Sequence, residues 1–67
     1  MMYVNGQRLS DDRHFQDHLE QEVPVQIYYE SSHSDIGFVE AFCSQFVKVN
    51  NIFYNRHWFT FVSRPGY

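Results

Sequence analysis

The chain has 67 residues, 43% of them hydrophobic and 19% aromatic, with a formal net charge of -3. That length holds one domain, spanning residues 1–67, and chains below roughly 70–80 residues usually need a disulfide, a metal or a partner subunit to supplement one core. Cys43 is the only cysteine, which excludes an internal disulfide and a Cys-rich zinc site and leaves oligomerisation or a dense aromatic core as the source of extra stability.

The acidic balance argues against non-specific nucleic-acid binding, but the charge is uneven. All eight acids lie between Asp11 and Glu40, where Arg13 is the only base; from Ala41 onward the charged residues are Lys48, Arg56 and Arg64. No apolar run is long enough to span a bilayer, so no membrane association is expected. Met1 to Ser10 does not read as an export signal, and with a free cysteine the expected location is the cytoplasm.

In chain order, Met2, Tyr3 and Val4 form a short apolar start, and Asn5-Gly6 reads as a turn. Ser10 suits a helix N-cap, and Asp11 and Asp12 suit the positive end of a helix dipole. Phe15 and Leu19 then predict a short amphipathic helix over about 11–21 that must dock on something else to be stable. Pro24 pushes Val23 into extended backbone and is tolerated at a strand start. Val23, Val25, Ile27 and Tyr29 alternate with polar or amphipathic neighbours, the period of a half-buried strand. Ser31 to Asp35 reads as a polar loop and Ile36 to Phe42 as a second strand, with Gly37 marking a bend or close backbone approach. Phe46–Val49 and Ile52–Tyr54 are the third and fourth strands, joined by a two-residue Asn50-Asn51 turn. Trp58 to Val62 is the fifth, before a tail over 63–67. One helix followed by five short strands over about 23–62 predicts a mainly β, closed small barrel.

The stretches Val23-Pro24-Val25-Gln26-Ile27-Tyr28, Gly37-Phe38-Val39-Glu40-Ala41-Phe42 and Gln45-Phe46-Val47 together resemble the bacterial Sm-like RNA chaperone family Hfq. Gly6-Gln7-Arg8-Leu9 and Tyr54-Asn55-Arg56-His57 are similar to further motifs of that family, the latter to its Tyr-Lys-His triplet with one residue inserted. The resemblance implies an Sm-like (SH3-like) five-stranded barrel capped by the helix, joined edge to edge into a homo-oligomeric ring, commonly a hexamer. It also implies binding of uridine-rich or adenosine-rich single-stranded RNA in post-transcriptional regulation. The residues it assigns to RNA are Gln45, Phe46, Arg56 and His57 on the helix-bearing face and Tyr28 on the opposite one. Phe46 would stack on a base, Gln45 would read a base edge, and Arg56 and His57 would meet phosphate or ribose.

The chain departs from the family where its arginine-rich rim would stand, at Glu20-Gln21-Glu22, and in a shorter hairpin around Asn50-Asn51. The inserted residue also puts either Arg56 or His57 out of register, because side chains alternate along a strand. Simpler readings stand beside these: Phe46 as a core aromatic, Gln45 as a turn residue, Arg56 and His57 as a solvated strand end, Tyr28 as an interface aromatic. His14 and His18 have a spacing that can place two imidazoles on one metal, but no motif fixes a third ligand, so they read as a polar helix face. Cys43 reads as a small packed hydrophobe, and neither an enzyme nor a cofactor is expected. The alternative function is a small Sm- or SH3-like protein-interaction module without RNA binding.

Overall fold

A computed structural model describes residues 3–67; Met2, part of the expected apolar start, lies outside the described residues. Asn5-Gly6 is a turn, with Gly6 at φ 89°. It leads into a two-residue strand, β1 (Arg8–Leu9), too short to carry any readable alternation. Helix α1 (Asp12–Gln21) follows. Its N-cap is Asp11 rather than Ser10. The Asp11 carboxylate accepts from the His14 N–H at 3.2 Å, and the His14 ring nitrogen Nδ1 accepts from the Ser10 N–H at 2.9 Å, so both side chains close the first turn. The helix stops at Glu22, left-handed at φ 53°, and the His18 carbonyl accepts from the N–H groups of Glu22 and Val23.

Strand β2 (Val25–Tyr29) buries Val25 and Ile27, as its alternation predicts, but leaves Tyr29, expected on the same face, exposed, and Val23 precedes the strand. The expected loop over Ser31 to Asp35 is instead a tight hairpin: Glu30 and Ser31 form a two-residue turn, and β3 (Ser32–Gly37) returns at once. Its first three residues are exposed, so no apolar alternation betrays it. The single strand expected over Ile36 to Phe42 breaks at Phe38 into β3 and β4 (Val39–Phe42). Gly37 sits at the break because a Cβ there would meet side-chain atoms of Val49 and Asn50 at 2.9 Å. Strands β5 (Phe46–Val49) and β6 (Ile52–Asn55) flank the Asn50-Asn51 turn, both asparagines at positive φ, as read from the sequence. The last strand, β7 (Thr60–Ser63), begins two residues later than expected, since Trp58 lies in a turn and is 69% exposed.

The strands form two antiparallel sheets, ordered β1-β7-β2-β3 and β4-β5-β6. Their inward residues meet in one core of Leu9, Phe15, Val25, Ile27, Val39, Val47, Val49, Tyr54 and Phe61. The class is therefore mainly β with one helix. Phe15 brings α1 into that core, its ring 5.4 Å from Phe61 of one sheet and 6.1 Å from Phe42 of the other. His18 points the same way and is fully buried rather than part of a polar helix face. Its Nδ1 donates to the His14 carbonyl at 2.7 Å, so its Nε2, 2.7 Å from the Ser63 hydroxyl, accepts when the ring is neutral. Asp35 ties the sheets together on the far side: it accepts from the Tyr54 hydroxyl at 2.7 Å and from Asn50 Nδ2 at 3.0 Å. Among the described residues no helix is long and apolar enough to cross a membrane.

Candidate nucleic-acid interface

The loop leaving β4 and the turn leaving β6 lie side by side, because Phe46 pairs with Asn55 and the Arg56 N–H donates to the Gln45 carbonyl at 2.8 Å. Gln45, Phe46, Arg56 and His57 are thereby brought to one end of the three-stranded sheet. Tyr28 is elsewhere, on the four-stranded sheet between Thr60 of β7 and His33 of β3.

The four neighbours are in different states. Gln45 is exposed. Phe46 is 36% exposed, not a core residue, and its ring meets the exposed Phe53 edge-on at 6.4 Å. With Ala41, Phe42 and Cys43 these two rings line an apolar recess of about 160 Å³. Cys43, expected to pack as a hydrophobe, is exposed there. Hydrogen bonds from the backbone of Gln45 and Phe46 hold its thiol below the usual value of 9.0. The charged groups that act on it are Arg56, a permanent cation, and Asp12.

Arg56 is committed to the fold. Its Nη1 donates to Asp12 Oδ1 and to the Cys43 carbonyl, both at 2.6 Å, and Nη2 donates to the Ser10 carbonyl at 3.3 Å. The guanidinium also lies over the Phe15 ring at 4.7 Å. It clamps the start of α1 onto the β4–β5 loop, with its charge matched by Asp12. His57 is the freer of the pair: it is exposed, and its N–H donates to Asn55 Oδ1 at 2.7 Å to shape the turn.

Beside these residues lies a pocket of about 260 Å³ between β1, the β4–β5 loop and the β6–β7 turn. Phe15, Phe59 and Phe61 line it with apolar surface, and Arg8, Ser10, Ser44, Arg56, His57 and Thr60 bring donors and hydroxyls. It is smaller than the roughly 300–1,000 Å³ usual for drug-sized ligands. On its other side His57 adjoins the 69%-exposed Trp58, which with Tyr29 and Glu30 lines a further groove. Arg8, Ser44, Thr60 and Trp58 escaped sequence reading because they come from three separate segments. Only the exposed tryptophan beside His57 offered a local signal.

His14 and His18 are spent on the helix cap and on Ser63, and among the described residues no group of three or more His, Cys, Asp or Glu side chains could hold a metal ion. Comparison of the chain with family models, with curated proteins and with solved structures finds no match in any of the three.

Proposed function

We propose that the protein is a divergent, Hfq-like small barrel that binds single-stranded RNA at the end of the molecule where Gln45 and Phe46 stand beside the pocket that Arg8, Ser44 and His57 line together. That convergence from three separate segments is the observation that carries the reading. The fold supports it too. Counted as one strand bent at Phe38, β3 and β4 give a five-strand order of β7-β2-β3/β4-β5-β6, a meander whose last strand returns beside the first, as in a small barrel. In this reading Phe46 and Trp58 offer faces for bases, Gln45 reads a base edge, and Arg8 and His57 meet the backbone. Arg56 positions the loop rather than the ligand.

Fluorescence anisotropy with short uridine-rich and adenosine-rich RNA at low salt tests this. Phe46→Ala is expected to weaken binding by about 1–3 kcal/mol, the worth of one stacked base, and His57→Ala to weaken it less. Affinity should fall as salt rises. Absence of binding to either RNA, or binding indifferent to both variants, refutes the reading.

A second function is favoured by one specific feature. Strand β6 is an open edge with Ile52 51% and Phe53 63% exposed, and it carries no charged residue. Such an edge can accept an added strand from a peptide. Recovery of a specific protein after nuclease treatment, lost on Phe53→Lys, would support an interaction module instead.

A further inference from the structure

The molecule contains two arginines held by dense hydrogen bonding, and they differ in one respect. Arg56 is matched by the carboxylate of Asp12. Arg64 has no carboxylate within ion-pair distance among the described residues. It follows β7 directly, where its N–H donates to the Pro24 carbonyl at 2.9 Å and fixes the side chain over the outer face of the four-stranded sheet. There Nε donates to Gln26 Oε1 at 2.7 Å, Nη2 to the Tyr28 hydroxyl at 2.9 Å and Nη1 to Asn5 Oδ1 at 3.3 Å. Gly6 makes room: a Cβ at that residue would stand 3.2 Å from Nη1, and its φ of 89° disfavours any side chain.

All three acceptors are neutral. They hold the guanidinium in one place without cancelling its charge. Gln26 is held in turn, since its Nε2 lies 2.9 Å from His33 Nδ1; with Oε1 taken by Arg64, the amide presents its N–H to the imidazole. A guanidinium has five N–H groups, so three bonds leave one hydrogen on each terminal nitrogen. Both terminal nitrogens thus keep donor capacity for the oxygens of a phosphate.

Among the described residues, the two rows of the sheet that carry Gln26 and Tyr28 hold no acid. Across the strands Arg8, Val62, Gln26 and Ile36 stand in one row, and Thr60, Tyr28 and His33 in the next. Arg8 also has no carboxylate partner among the described residues, and it lines the pocket described above. In a chain of net charge -3, Arg8 stands opposite Val62 and Arg64 follows two residues beyond Val62, so two guanidiniums without a carboxylate partner among the described residues lie near one another, one of them lining that pocket.

We propose that Arg64, oriented by Gln26, Tyr28 and Asn5, is a phosphate-binding site that holds a backbone phosphodiester of the same RNA strand whose bases enter the pocket beside Arg8. This rests on the RNA reading and extends its contact from the end of the molecule onto the outer face of the four-stranded sheet. Tyr28 acts here through its hydroxyl, as a positioning residue for Arg64.

The test is an NMR titration of the full chain that follows the arginine Nε–Hε resonances, with a uridine hexamer in one arm and inorganic phosphate in the other. The resonance missing in Arg64→Lys identifies Arg64. It is expected to shift saturably with RNA and, more weakly, with phosphate. Arg64→Gln should weaken RNA binding about tenfold and lower the salt slope by about 0.7, one phosphate contact on a single strand. Arg64→Lys should keep the salt slope and lose part of the affinity, because an ammonium is a point charge. If Arg64→Gln unfolds the chain, Tyr28→Phe and the wild-type titration still decide. RNA binding that leaves the Arg64 resonance unmoved overturns the inference and spares the RNA reading. A response to phosphate with no RNA binding overturns the RNA source and, with it, the RNA reading. Silence in both arms overturns the site altogether.

Discussion

Arg56 and Arg64 show how little residue type says about availability. Both sit in the acid-poor half of the chain, yet one is paired across 44 positions with an acid from the other half. Replacing Arg56 should therefore destabilise the fold before it affects any ligand. His18 carries a different consequence. Burial holds its imidazole below the usual value of 6.5, so as pH falls through 6.5 the unfolded chain takes up a proton that the folded chain resists. The contribution to stability is full above that value and is lost as pH drops below it. Urea midpoints measured between about pH 7.5 and 5 should fall, and His18→Gln should flatten the curve while lowering stability at pH 7.5 by roughly 1–3 kcal/mol through the altered bonds to Ser63 and His14. Asp35, held low chiefly by the Tyr54 hydroxyl, gives up its own contribution only below 3.8, which separates the two windows.

At the scale of elements, the two hairpins make an instructive pair. Asn50-Asn51 and Glu30-Ser31 are both two-residue turns with both residues at positive φ. Asparagine tolerates that region and so announces the first; glutamate and serine do not, and the second was hidden where an expected strand met an expected loop. The strain it carries is testable. Glu30→Asn combined with Ser31→Gly should raise stability by about 1 kcal/mol in thermal unfolding. A decrease would mean that Glu30 makes a contribution beyond the turn. Strands β3 and β4 were legible as extended chain through Ile36 to Phe42. Their division between two sheets was not, because the bend depends on how closely Gly37 approaches Val49 and Asn50.

For the whole molecule, the question is what supplements a small core without a disulfide. Part of the answer is internal: among the described residues every buried side-chain polar atom has a partner, and Asp35 with Tyr54 joins the sheets. The ring implied by the Hfq-like reading would be a further source, and the strand edges bear on it. Strand β6 is open, but the outer edge of β7 is covered by β1, with Gly6 and Gln7 adding backbone bonds to Ser63. A neighbour arriving on β7 must first displace that strand. Light scattering at micromolar concentration should accordingly give the 8.1 kDa mass of one chain, and an oligomer should form when residues 3–9 are removed. A hexameric mass for the intact chain would place the ring contact on β6 or β4 instead.

By itself the sequence determined the helix, the mainly β class, the Asn50-Asn51 turn and the alternation that buries Val25 and Ile27. Each rests on local backbone preference or on a periodicity within a few residues. It also singled out Gln45, Phe46, Arg56 and His57, which the paired loops do bring together. Only the tertiary structure decided that Arg56 is already matched by Asp12, that His18 faces the core, and that among the described residues Arg8 and Arg64 are the arginines left without a carboxylate. Those outcomes depend on pairings between residues distant in the chain, where distance and burial, not residue type, settle which charge is free.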